Sequence, residues 1–336
     1  MAKRKRRRHA KAQALTPGQW VIFALTGLAL VLGLAVSLAE GEGLPSWESI
    51  FSRVGLEAQP LPAEGLAAAA NAVHFIDVGQ GDATLLQSGG EYCLVDAGEP
   101  DSEDALLAYL RGMGVSRLKL LVMSHPHADH IGSMAAVLQE FPVDEVLLPD
   151  FDKAPYPTTA TFERVMQLIL DKGIPAVTAA PGQRFALGNG AVQVLDAGVE
   201  TENYNDLSQV LHFEAGGLSV LLTGDGEKAV EKAALGAGGL PHVQVFKAAH
   251  HGSNTSNTED FLWAVRPRYV VVSCGANNSY GHPHKEPVAR FAALGAQVLR
   301  TDENGSVVLA EEENGLRLYT ARTPEGGSTG GEQEAA

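Results

Sequence analysis

The six residues His125-Pro126-His127-Ala128-Asp129-His130 crowd three imidazoles and a carboxylate into one short segment. Imidazole nitrogen and carboxylate oxygen are ligands that zinc, manganese and iron accept. His125 and His127 alternate, so both turn to one ion from a loop. Asp129 and His130 then turn toward a second ion as a helix starts at Ile131. The plainer reading is a histidine-rich solvated loop with Asp129 as a helix cap. So dense a donor set exceeds what such a loop needs, and metal binding is the expectation.

Other groups with chemical capacity stand at the ends of apolar runs. Asp96 follows Tyr92–Val95, Asp225 follows Leu221-Leu222-Thr223-Gly224, and His250-His251 follow Val243–Phe246. Asp77 and Asp82 lie in the glycine-containing turn DVGQGDA, where holding the turn is the favoured role for both. His282 lies in Tyr280-Gly281-His282-Pro283, and Ser253 and Asn254 suit either a phosphate contact or a helix cap. Cys93 and Cys274 sit in core-like strands and read as buried free thiols.

The elements that must position these groups alternate. Val73–Val78, Ala83–Leu86, Tyr92–Val95, Leu118–Met123, Val192–Leu195, Val210–Phe213, Leu218–Leu222, Val243–Phe246, Tyr269–Ser273 and Val307–Leu309 predict strands. Ala105–Arg111, Ile131–Glu140, Thr161–Lys172, Glu227–Leu235 and Pro287–Leu294 predict helices. Strand clusters interleaved with helices indicate an α/β class with mixed sheets, and loops at strand ends are where such proteins place their sites.

The HxHxDH segment resembles the signature of the metallo-β-lactamase superfamily. HFIDVGQGDATL at 74–85, YCLVDAG at 92–98, LLTGD at 221–225, KAAHHGS at 247–253 and YGHP at 280–283 extend the match. Together they resemble the extracellular hydrolase domain of ComEC-type competence DNA-uptake proteins and their stand-alone relatives, over roughly residues 72–320. The resemblance implies an αββα sandwich with a metal site at one edge. It implies two divalent ions, zinc or manganese, with His125 and His127 on the first and Asp129, His130 and His250 on the second. Asp225 would bridge them and Asp96 would orient a ligand histidine; His251 is the alternative to His250, or a substrate contact. Asp129 would also steer the attacking hydroxide, and His282 would donate a proton to the leaving oxygen or hold a phosphate. Many family members carry a further histidine before the bridging Asp. Here only His212 lies in that interval, beside the Asn-rich segment at 203–208. An incomplete imidazole set favours manganese over zinc.

The chain has 336 residues, with 25 Lys+Arg against 40 Asp+Glu. Seven of the basic residues and none of the acidic ones fall in residues 1–39. A body this acidic gains nothing from bulk attraction to a polyanion. Residues 1–19 read as a basic cytoplasmic segment. Trp20–Ala39 spans 20 apolar or uncharged residues, ~30 Å as a helix, which matches a bilayer core. Basic residues before it and acidic ones after it send the rest of the chain outward. A membrane anchor with an extracytoplasmic domain is the expectation; the alternative is a cleaved signal segment and a secreted protein. Residues 40–70 read as a linker, 71–322 as the hydrolase domain and 323–336 as a disordered tail. The expected activity is a metal-dependent phosphodiesterase on extracytoplasmic DNA, beside a separate uptake channel. The alternatives are a lactonase, thioesterase or β-lactamase of the same fold, or a non-catalytic competence-associated binding protein.

Overall fold

The computed structural model describes residues 63–313 and 315–322. The span expected at Trp20–Ala39, the basic segment before it, most of the linker and nearly all of the tail lie outside those residues. Among the described residues no helix is long and apolar enough to cross a membrane. The chain enters the domain through a short helix, α1 (Ala63–Ala67), whose Leu66 is buried in the core.

Two sheets pack face to face. The first runs β15 (Gly315–Thr320), β14 (Val307–Glu312), β1 (Asn71–Phe75), β2 (Thr84–Ser88), β3 (Glu91–Val95), β4 (Leu120–Val122), β5 (Val146–Leu148) and β6 (Ala176–Thr178). The second runs β13 (Gln297–Arg300), β12 (Tyr269–Val272), β11 (Val245–Lys247), β10 (Leu218–Leu222), β9 (Val210–Ala215), β8 (Gly190–Asp196) and β7 (Arg184–Leu187). Each sheet has an antiparallel half and a parallel half, the parallel strands being β3 to β6 and β10 to β13.

Alternation along each strand sorts its side chains into layers. Leu120 and Val122 of β4, with Val220 and Leu222 of β10, fill the space between the sheets. Leu121 turns instead toward α2 (Glu103–Gly112), α3 (Ala128–Ile131), α4 (Met134–Glu140) and α5 (Ala160–Asp171), meeting Leu106, Ile131, Val137 and Phe162. Leu221 turns toward α6 (Lys228–Ala237), α7 (Glu259–Val265) and α8 (Lys285–Ala293), meeting Val230, Phe261 and Phe291. A last short helix, α9 (Thr301–Asn304), follows β13. Burying a phenylalanine such as Phe162 or Phe261 contributes up to ~3 kcal/mol, so both helical layers are anchored by aromatic side chains. The order is helix, sheet, sheet, helix, the αββα sandwich that the resemblance implies.

One expected helix divides. The stretch predicted at Ile131–Glu140 starts earlier, at Ala128, and breaks between α3 and α4 around Gly132. A Cβ at Gly132 would collide with the backbone of Pro100 and of Ala128. That close approach brings the α3 turn, and with it Asp129 and His130, against the loop after β3.

His74 on β1 is fully buried, with Nδ1 3.0 Å from the Tyr109 hydroxyl and Nε2 3.3 Å from Gln87 Oε1. Burial lowers its pKa to about 4, against a smaller opposing effect of Gln87. The unfolded chain takes up this proton near pH 6.5 and the folded chain does not, so this group's contribution to stability is lost as the pH falls from 6.5 toward 4. Linkage gives about 2 kcal/mol lost between pH 7.5 and pH 5. Urea unfolding at the two pH values should show this loss in the native chain and a smaller one in His74→Gln. Equal slopes in both would remove His74 from the acid response.

Candidate metal centre

The donors gather where the parallel strands end. Asp96 follows β3, His125 and His127 follow β4, Asp225 follows β10, His250 and His251 follow β11, and Ser273 follows β12. Carboxyl ends of parallel strands are the usual location for such sites, because their loops converge there from several elements.

Asp82, His130, Asp225 and His251 are buried, and each offers a ligand atom, all within 4.8 Å of one another. His130 Nδ1 lies 2.8 Å from Asp96 Oδ2, which leaves Nε2 as the inward-facing nitrogen, 3.2 Å from Asp225 Oδ1. Asp96 is itself held by the Ser124 amide and hydroxyl, at 2.8 and 2.6 Å. His251 Nδ1 lies 3.0 Å from the Ser273 carbonyl, so its Nε2 also faces inward, 3.5 Å from Asp225 Oδ2 and 3.3 Å from Asp129 Oδ2. Anchoring one ring nitrogen on an oxygen and presenting the other is how metal-binding histidines are oriented.

Four of these inward atoms are buried without a hydrogen-bond partner: Asp82 Oδ1, His130 Nε2, Asp225 Oδ1 and His251 Nε2. Unpartnered polar atoms are costly in an interior, and four on the residues of one buried cluster fit a bound cation. Electrostatics point the same way. Burial opposes charge on His130, but Asp225, Asp96 and Asp129 outweigh it and hold its pKa well above the usual histidine value. Burial likewise opposes charge on His251, and Asp225 and Asp82 raise it to about 10. Asp225, against its own burial, is held well below the usual carboxylate range by His251 and His130. The cluster thus attracts positive charge, and protons take it up on two of its rings.

The remaining candidates surround this cluster. His125 Nε2 lies 3.0 Å from His127 Nδ1 and 4.0 Å from Asp225 Oδ2. Burial and the neighbouring His130 push the His125 pKa well below its ordinary value, leaving a neutral ring suited to ligation. His250 and His251 both approach Asp225, but differently. His250 is partly exposed, with Nε2 3.6 Å from Asp225 Oδ2 and Nδ1 3.0 Å from the Thr255 hydroxyl. His251 is 1% exposed and takes the deeper position. Both have left-handed backbone, φ 49° and 52°, at ~1–2 kcal/mol per residue. Asn257 holds this turn, its side chain accepting from the Ala249 amide and donating to the Ala249 and Ser253 carbonyls. Ser253 and Asn254 also serve the loop: the Ser253 hydroxyl accepts from the Thr255 amide, and the Asn254 amide donates to His284.

Two residues that the sequence leaves outside the ligand set enter the cluster here. Asp82, placed in a structural turn, is 4% exposed and faces His251 at 3.8 Å and His130 at 4.0 Å. Lys247 is buried and its ammonium lies 2.6 Å from Asp82 Oδ2. A lone lysine ending an apolar strand was the available signal for it. Asp77 points elsewhere, its side chain pairing with Arg322 and its backbone amide donating to the Ser306 hydroxyl. His212 lies on β9 with Nε2 2.8 Å from the Ser219 hydroxyl, not among the cavity-lining residues. Asn205 lines the cavity instead. Its amide nitrogen is 3.4 Å from Glu227 Oε1, and its Oδ1 is buried without a partner. Cys93 and Cys274 are both buried free thiols.

Above the cluster opens a cavity of ≈ 360 Å³, lined by Gln80, His127, Asp129, Asn205, Tyr280 and His282 among others. His282 forms part of its wall, with Nδ1 buried and unpartnered. Burial and then His251, His250 and His284 lower its pKa to about 4. The resting ring is neutral and fitted to hydrogen-bond an oxygen; acting as an acid requires it first to take up a proton.

Paired mixed sheets with an imidazole–carboxylate set at their strand ends define a metallohydrolase. The chain belongs to the metallo-beta-lactamase superfamily, whose sequence profile matches residues 76–276. It is similar to ComE operon protein 3 of Bacillus subtilis, 29% identical over 258 residues, covering 70% of this chain and 32% of that protein. It is also similar to competence protein ComA of Neisseria gonorrhoeae, 30% identical over 299 residues, covering 88% of this chain and 40% of that one. The chain therefore spans well under half the length of these curated relatives. Among solved structures, the metallo-beta-lactamase fold protein YhfI of Bacillus subtilis aligns with a TM-score of 0.49 and 13% identity, covering 71% of this chain and 99% of that one.

Proposed function

We propose that the chain is a divalent-metal-dependent phosphodiesterase that acts on DNA outside the cytoplasmic membrane. Trp20–Ala39 would tether it there, beside a separate uptake channel. One observation carries the catalytic part of this reading. The cavity is lined by Asp225 and His251, two of the buried donors whose inward atoms have no hydrogen-bond partner, and none of its lining residues is a serine, threonine or cysteine. With no hydroxyl of a serine or threonine and no thiol at hand, and with the carboxylates and imidazoles engaged as donors, water is the nucleophile in this reading.

Divalent ions, when bound, lower the pKa of water toward neutrality and neutralise charge that builds on a phosphoryl oxygen. His125 and His127, with the Asn205 carbonyl oxygen beside them, would hold one ion. Asp129, His130 and His251 would hold the other, with His250 on the cavity side and Asp225 facing both groups. Asp96 and Ser273 keep the His130 and His251 rings aimed inward. Asp129, partly exposed where it lines the cavity and kept ionised against its burial by His130 and His251, would orient the attacking water by accepting a hydrogen bond. His282 hydrogen-bonds a phosphoryl oxygen from the wall. An amide oxygen in place of a third imidazole favours manganese over zinc in the first position.

Parallel assays of bis-p-nitrophenyl phosphate, single-stranded DNA and nitrocefin test the reading. Turnover of both phosphodiesters is expected, abolished by chelator and restored best by Mn²⁺, with nitrocefin untouched. Turnover of nitrocefin alone would overturn the phosphodiesterase reading. Two zinc ions retained tightly through purification would overturn the manganese preference.

A further inference from the structure

The cavity wall contains one aromatic side chain that the metal centre does not use. Tyr280 lines the cavity yet is 63% exposed. Its ring stacks on His282, with centroids 5.7 Å apart and planes within 17°. His282 in turn stacks on His251, at 6.0 Å and 22°. A ladder of rings therefore runs from solvent to the buried donors.

The loop that carries Tyr280 is held in place. The Asn278 side chain donates to the Gly275 and His282 carbonyls, at 3.0 and 2.7 Å, and accepts from the His282 amide at 2.9 Å. Gln80, from the turn that also carries Asp82, accepts from the Gly275 amide at 3.0 Å. Tyr280 is thus presented on a fixed loop with most of its side chain in water.

We infer that Tyr280 is the platform on which a substrate base stacks while the adjoining phosphodiester reaches the metal donors, so that the substrate is a single strand. The inference rests on the phosphodiesterase reading. Charge supports it. No lysine or arginine lines the cavity, and the chain as a whole is acidic. A polyanion is not drawn in by bulk attraction, and uncharged contacts must help to hold it. Stacking on an aromatic ring is such a contact, and it accepts any base because every base has a π-face. In a duplex those faces are covered by neighbouring base pairs, so only an unstacked base can lie on Tyr280.

The test uses the full-length, Mn²⁺-loaded chain and two oligodeoxynucleotides with the same phosphates, one of thymidines and one of abasic residues. Tyr280→Ala should raise KM on the thymidine strand about tenfold, with kcat nearly unchanged and the abasic strand unaffected. Tyr280→Phe, which keeps the ring, should behave as the native chain. Anisotropy of a labelled phosphorothioate thymidine strand should show the same loss of binding in Tyr280→Ala. If the native chain cleaves the strands and Tyr280→Ala alters both alike or neither, the platform fails and the phosphodiesterase reading stands. If the native chain cleaves neither strand, both fall together.

Discussion

Asp225→Asn should lower the chain's affinity for Mn²⁺ by more than ~100-fold, since removing even an outer partner of a ligand costs 10–100-fold. Hydrolysis should fall with it. Asp225 approaches four imidazoles, with its oxygens 4.0 Å from His125, 3.2 Å from His130, 3.6 Å from His250 and 3.5 Å from His251. It is the carboxylate through which the two halves of the donor set meet. The change to asparagine keeps size and shape, so the loss reads charge rather than packing. It also has a proton signature. In the metal-free chain Asp225 leads the charges that raise His130 and His251, the latter to about 10, against their burial. A metal entering at neutral pH must displace those protons, so affinity for the metal falls as the pH falls. Calorimetric titration with Mn²⁺ in buffers of different ionisation enthalpy should show proton release in the native chain and less in Asp225→Asn. Native affinity and native proton release in the variant would mean that the donors do not act as one centre.

The parts of this site that could be read from the sequence are those carried by local spacing. His125, His127, Asp129 and His130 occupy one loop and the first turn of α3, so their convergence follows from order along the chain. Asp225 and the His250-His251 pair were marked by their place just after apolar runs. Which histidine of that pair goes deep depends on two successive left-handed residues, and no propensity forecasts that conformation for histidine. Asp82 reads as a turn residue because Gly79 and Gly81 stand just before it. Its meeting with Lys247 is made by the packing of β11 in one sheet against the turn after β1 in the other, which no local pattern encodes. Five strands escaped notice: β5, β6, β7 and β13 have only three or four residues each, and β15, with six, has no fully buried residue to mark it as a core strand. In β6 the flanking residues are exposed, so neither alternation nor a continuous apolar run is present to signal it. Long buried strands such as β9 and β10 announced themselves by both.

Lys247→Met should destabilise the metal-free chain by about 3–5 kcal/mol, the range expected when one partner of a buried ion pair is removed. The Lys247 and Asp82 side chains are 3% and 5% exposed, and among the described residues the only other hydrogen bond that Lys247 Nζ makes is to the Ala248 carbonyl, at 2.8 Å. Methionine fills the volume but leaves Asp82 in the interior with only the longer contacts to His251 and His130, at 3.8 and 4.0 Å, and close to the carboxylate of Asp225. The double variant Lys247→Met, Asp82→Asn removes the stranded charge and should recover much of the loss. The metal centre gives this prediction a second arm. With its ammonium gone, Asp82 is free to share a cation with His130, Asp225 and His251, the other members of the buried cluster. Saturating Mn²⁺ should therefore raise the stability of Lys247→Met by more than it raises that of the native chain, because ligand binding stabilises in proportion to the logarithm of affinity. Urea unfolding with and without Mn²⁺ reads both arms. A single variant as stable as the native chain would show that Asp82 does not need Lys247. Equal gains from Mn²⁺ in the two proteins would show that the lysine does not hold Asp82 away from the metal.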